Sequence, residues 1–74
     1  MKQALLIVDI QNDYFPGGRM ELVGSLEAGV EAGRLLRAFR ERGEPVIHVQ
    51  HVSKRPGATF FLPDTEGVKI HESV

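Results

Sequence analysis

Leu5-Leu6-Ile7-Val8-Asp9-Ile10-Gln11-Asn12-Asp13-Tyr14-Phe15-Pro16-Gly17-Gly18 is the stretch on which the fold turns. From Ala4 to Ile10 it is a nearly continuous apolar run, rich in β-branched residues and interrupted only by Asp9. That is the pattern of a strand buried on both faces in a parallel sheet. Such a strand carries Asp9 at its C-terminal end. The Asn, Asp, Pro and two Gly that follow predict an irregular loop lasting to about Gly24.

Downstream, Ser25 is a candidate N-cap with Glu27 in the first turn. Leu26, Val30, Leu35, Leu36 and Phe39 recur at short helical steps, so the spacing predicts an amphipathic helix that ends before Gly43. Arg34, Arg37, Arg40, Glu41 and Arg42 occupy its other face. Pro45 opens a second short β-branched run, Val46-Ile47-His48-Val49-Gln50, expected to pair parallel to the first. Strand, helix, strand implies a right-handed crossover. From Val52 to Val74 the text turns repeatedly, at Ser53-Lys54-Arg55-Pro56-Gly57 and Pro63-Asp64-Thr65-Glu66-Gly67, and predicts a long loop rather than a third regular element. A strand apolar on both faces needs a layer on each, yet one helix serves two strands here. Residues 1–74 therefore read as a single incomplete domain of α/β class.

Composition narrows the functions. In 74 residues with 42% hydrophobic content there is room for one thin core. The absence of cysteine removes disulfides, thiolate metal sites and any thiol nucleophile from this stretch. Nine Lys/Arg against ten Asp/Glu is too balanced for a nucleic-acid arm. The apolar run before Asp9 is too short for a signal peptide or a membrane span, so a cytoplasmic protein without nucleic-acid or membrane partners is expected.

Ligands of open parallel sheets bind outside the carboxyl ends of the strands, where the pattern places Asp9, Gln11, Gln50 and His51. Asp9 is the sharpest candidate, because a carboxylate ending a buried strand is costly unless it meets donors or a cation. An aspartate there could instead cap the following loop through its backbone amides. Gly17-Gly18 lacks the lysine and helix start of a phosphate loop and reads as a turn permitting close approach.

The opening stretch, Leu5 to Gly18, resembles the first motif of isochorismatase-like cysteine hydrolases, the superfamily that includes nicotinamidases. Pro45-Val46-Ile47-His48-Val49-Gln50-His51 and Gly57-Ala58-Thr59-Phe60-Phe61-Leu62 are similar to that family's second strand and following loop. The resemblance implies the N-terminal βαβ unit of a three-layer α/β/α, Rossmann-like fold with a mainly parallel sheet. It also implies a homo-oligomer, and hydrolysis of a small amide or related substrate by an Asp-Lys-Cys triad. Asp9 matches the family's Asp. The Lys and Cys would fall beyond Val74, Lys69 stands at the wrong place in the motif and reads as an exposed loop lysine, and this stretch alone should hydrolyse nothing. Tyr14 matches an aromatic that walls the substrate pocket, with ordinary packing as its alternative, and Phe60 or Phe61 could supply the opposite wall, although burial in the core or in a subunit contact is the commoner role of two adjacent loop phenylalanines. Nicotinamidases bind a metal through an Asp-x-His pair where this sequence reads His51-Val52-Ser53, so no metal and no cofactor are expected. His48 is read as a core or interface histidine and His71 as a solvated one.

Two other readings compete. A strand ending in aspartate also opens phospho-acceptor receiver modules, but these want paired acids after the first strand and another Asp after a third, and Asp9 is followed by Ile10 and Gln11. A non-catalytic α/β binding or assembly module is the other alternative.

Overall fold

The computed structural model describes residues 2–74. It contains a strand β1 (Leu5–Val8), a 3-10 turn (Asn12–Tyr14), a helix α1 (Ser25–Glu41) and a strand β2 (Val46–Val49). The strands pair in parallel and flush, Leu5 with Val46 through Val8 with Val49, so their C-terminal ends lie side by side. The helix packs on this sheet. After β2 the described chain forms no regular element; it returns through an isolated antiparallel bridge between Ile70 and Gln11, which lays the 66–74 segment along the loop after β1.

Both strands are shorter than their apolar runs. Asp9 takes a left-handed conformation, φ 58°, which ends the extended geometry of β1 although its N–H still donates to the Val49 carbonyl. Nor is β1 buried on both faces in this chain. Ile7 is buried, while Leu6 and Val8 stand exposed beside Ile47 and Val49 of β2, making one bare apolar face. Alternation along a strand puts these four residues on the side opposite Ile7.

The helix starts and packs differently from its sequence pattern. Ser25 is its first residue rather than its cap; Gly24, at φ 80°, is the cap and makes no side-chain bond. A residue lacking Cβ enters this left-handed turn at little cost. Arg42 then caps the C-terminus and Gly43, at φ 69°, releases the chain. Of the predicted apolar stripe only Leu36 is buried, whereas Leu26, Val30 and Leu35 are about half exposed. The buried face is formed instead by Gly29, Gly33 and Leu36. The reason is close approach: a Cβ on Gly29 would lie 3.1 Å from the Phe15 ring, and one on Gly33 would lie 2.5 Å from the Ser73 backbone oxygen.

The core is Ile7, Phe15, Leu36, Phe61 and Val68, drawn from strand, helix and both long loops. His48 is half-buried, its Nε2 3.2 Å from the Val74 backbone oxygen. His71 is not a solvated histidine. It is half-buried and stacks on Phe15 with centroids 3.5 Å apart and planes 6° from parallel. Lys69 is exposed and pairs with Glu66 at 2.7 Å. Gly17, at φ 88°, turns the first loop, and Gly18 lies so close to the Asn12 and Asp13 backbone that a Cβ would collide with it.

Candidate functional site at the carboxyl ends of the strands

Gln11 organises the sheet's C-terminal edge. It is fully buried. Its Nε2 donates to the carbonyls of Val68 at 2.6 Å and His51 at 2.9 Å, and its Oε1 accepts the His51 N–H at 2.8 Å. One amide thus ties the loop after β1 to the loop after β2 and to the 66–74 return, and satisfies backbone groups that would otherwise be buried without partners. Gln50 adds a second donor to the Val68 carbonyl at 2.8 Å.

Asp13, from the 3-10 turn, is buried as well. Its Oδ2 accepts the Phe61 N–H at 2.6 Å and its Oδ1 accepts the Arg19 N–H at 3.1 Å. Phe61 is almost wholly buried and left-handed, φ 56°, a conformation that costs a bulky residue about 1–3 kcal/mol and persists only where its surroundings hold it. Its carbonyl is held too, accepting the Ser53 N–H at 2.8 Å.

Around Phe61 stand the other rings: Tyr14 edge-on at 4.8 Å, Phe60 at 5.0 Å and His51 at 5.4 Å between centroids. These aromatic residues, together with Asp9, line a cleft of about 540 Å³ whose remaining wall is the 52–59 loop, including Lys54 and Arg55. The chain therefore brings Asp9, Tyr14 and Phe60 onto one cavity. Both phenylalanines border the cleft, Phe61 as an almost wholly buried core residue and Phe60 half-buried. Among the described residues it is Asp13, not Asp9, whose carboxylate caps loop amides. Asp9, half-buried at a left-handed turn, is the acid that opens into the cleft. A separate cleft of about 560 Å³, between the 12–19 loop and residues 65–71, holds none of the three predicted site residues.

Sequence reasoning placed Gln11 at this edge without its clamping role and missed Asp13 altogether. Asp9, Gln11 and Asp13 do fall at every second position, but the polar Asn12 between the last two masks the alternation. A zinc-type donor set does not fit. His51 Nε2 has the Ser53 hydroxyl 3.2 Å away rather than a second strong ligand, and among the described residues no three His, Cys, Asp or Glu side chains converge.

Residues 3–74 match the isochorismatase domain family. Similar proteins include two uncharacterised isochorismatase-family proteins of Bacillus subtilis strain 168. YddQ is 55% identical over 100% of this chain and 41% of its own length, and YrdC is 36% identical over 99% and 38%. The chain thus spans about two fifths of the relatives it matches. A crystal structure from Oleispira antarctica assigned as an isochorismatase hydrolase superposes with a TM-score of 0.89 at 47% identity, covering 96% of this chain and 39% of that one. The pyrazinamidase of Pyrococcus horikoshii, solved in complex with zinc, shares the fold at a TM-score of 0.78 and 24% identity, over 95% of this chain and 45% of its own. Matched by the family over residues 3–74 and by a solved relative at a TM-score of 0.89, the chain belongs to the isochorismatase domain family and carries that α/β fold's N-terminal βαβ portion.

Proposed function

We propose that this chain supplies the acid–base carboxylate, Asp9, and the aromatic walls of the substrate cleft to an isochorismatase-like cysteine hydrolase acting on a small amide or related substrate. The observation that carries this reading is the meeting of Asp9 with Tyr14 and Phe60 on one cleft at the carboxyl ends of the parallel strands. Residues 1–74 contain no cysteine; in this reading the thiol and its partner lysine come from the part of the relatives' length that this chain does not span.

In the proposed reaction Asp9 takes the thiol proton as sulfur bonds to the substrate carbonyl carbon. It then returns that proton to the leaving amine as the C–N bond breaks, leaving a thioester. Water attacks the thioester, Asp9 accepts a water proton, and the departing sulfur recovers it, releasing the acid. The sum is amide plus water giving acid plus amine. A lysine beside the two anionic partners would favour the thiolate. The exposed side chains of Lys54 and Arg55 give the cleft mouth a positive rim, while Tyr14 and Phe60 give it apolar walls.

The class of chemistry is tested by following acid and amine release from a panel of small amides by the full-length polypeptide, before and after alkylation of its thiols with iodoacetamide. Turnover that disappears in step with labelling of a single thiol is the expected result. Turnover indifferent to alkylation, or none across the panel, overturns the reading.

A further inference from the structure

We propose that the cleft reads a carboxylate on its substrate, through the Ser53 hydroxyl oriented by His51 and the cationic side chains of Lys54 and Arg55, so that the amide it takes is an anionic one. The proposal rests on the hydrolase reading for the amide at Asp9 and goes beyond it in naming the substrate's other end. His51 and Ser53 open the loop after β2, and their backbones are tied to buried groups. The His51 N–H and carbonyl both bond the Gln11 amide, at 2.8 and 2.9 Å, and the Ser53 N–H donates to the Phe61 carbonyl at 2.8 Å. The His51 ring leans on Phe61 at 5.4 Å between centroids, and its Nε2 lies 3.2 Å from Ser53 Oγ. Neither side chain makes another hydrogen bond among the described residues, so the pair holds up no other part of the fold and stands ready in the cleft wall. Groups fixed in place before binding lose little freedom on binding.

The charges of the cleft point the same way. Lys54 and Arg55 are exposed in its wall and form no ion pair among the described residues, and Asp9 is the only acid in the lining. A carboxylate placed against Asp9 is repelled, whereas at residues 53–55 it meets a hydroxyl and two cations. In that position it accepts the Ser53 O–H while His51 Nε2–H donates to Ser53 Oγ, and each bond polarises the next. Cationic side chains alone would attract any anion to the mouth. The Ser53 hydroxyl, on a backbone pinned to Phe61, sets how far from Asp9 the anion sits and so which amides reach it.

The test compares succinamate with levulinamide, which has the same shape and no charge. Full-length wild type, Ser53→Ala, Ser53→Thr, His51→Phe and the double variant Lys54→Met/Arg55→Met are titrated with each, KM being read where the amide turns over and the calorimetric Kd where it does not. Wild type is expected to favour succinamate by roughly tenfold or more, a preference that shrinks as KCl rises. Ser53→Ala raises the succinamate value roughly tenfold and Ser53→Thr restores it. His51→Phe, which keeps a ring against Phe61 but loses the nitrogen, raises it by about threefold. In all of these kcat and the levulinamide value stay within about twofold of wild type, a split that general damage to the fold would not produce. The double variant loses the salt dependence, and its exposed positions carry the same test should Ser53→Ala fail to fold. Equal values for the two amides in wild type, binding of neither, or a loss in Ser53→Ala that falls equally on both overturns the proposal. Succinamate bound with the expected preference but not hydrolysed contradicts the hydrolase reading alone.

Discussion

At the scale of single residues, the two polar side chains that matter most for folding are not the one proposed for chemistry. Gln11 and Asp13 spend their hydrogen bonds on backbone amides and carbonyls, whereas Asp9 opens into the cleft. Gln11→Ala leaves the His51 N–H and carbonyl without this partner, while the Val68 carbonyl keeps Gln50 Nε2, and each orphaned group costs about 1–3 kcal/mol. A loss of about 2–4 kcal/mol is therefore expected in urea unfolding of the full-length protein. Gln11→Glu should cost as much despite its identical shape, because a carboxylate would face the carbonyls of Val68 and His51 with no proton to donate. A Gln11→Glu midpoint equal to wild type would show that the clamp acts by filling space alone. Asp9 was legible in the sequence because it interrupts an apolar run; Asp13 was hidden because an aspartate in a Pro/Gly loop has so many solvated explanations.

At the scale of elements, strand, helix and strand were readable in order and nearly to the residue, since each has a distinct period and is bounded by Gly or Pro. The misreadings share a cause. Leu26, Val30 and Leu35 were assigned to the packed face because large apolar residues are usually inside, yet α1 meets its neighbours through Gly29, Gly33 and Leu36. A glycine face is invisible to hydrophobic periodicity, because it is chosen for closeness rather than for area. The consequence is testable. Gly33→Ala gains about 1 kcal/mol of helix propensity, but it sets a methyl 2.5 Å from the Ser73 backbone oxygen, and overpacking of that kind costs about 1–3 kcal/mol. The melting temperature should fall. A rise would mean that the 66–74 segment yields freely and is not a packed partner of the helix. The stacking of His71 on Phe15 was equally unreadable, because it joins residues far apart in sequence through that same segment.

At the scale of the whole molecule, the sheet has one face covered by α1 and one face bare, on which Leu6, Val8, Ile47 and Val49 form a patch with exposures of 60, 55, 49 and 42%. Contiguous apolar surface of this kind marks a packing or association site. The 74-residue segment prepared alone is expected to enhance the fluorescence of anilinonaphthalene sulfonate, and a polypeptide of the relatives' length to enhance it far less. Equal dye binding by both would mean that the bare face is not a layer boundary of the complete fold. No helix among the described residues is long and apolar enough to cross a membrane. The central claim nevertheless lies at the edge of that sheet, where the cleft collects Asp9, Tyr14 and Phe60. It is tested most directly by the kcat/KM of full-length Asp9→Asn on an amide that the wild-type protein hydrolyses, with unfolding midpoints recorded for both. Loss of a positioned general acid–base predicts a fall of roughly 100- to 10,000-fold in kcat/KM with the fold retained. An Asp9→Asn protein that is folded and retains wild-type kcat/KM would contradict the account.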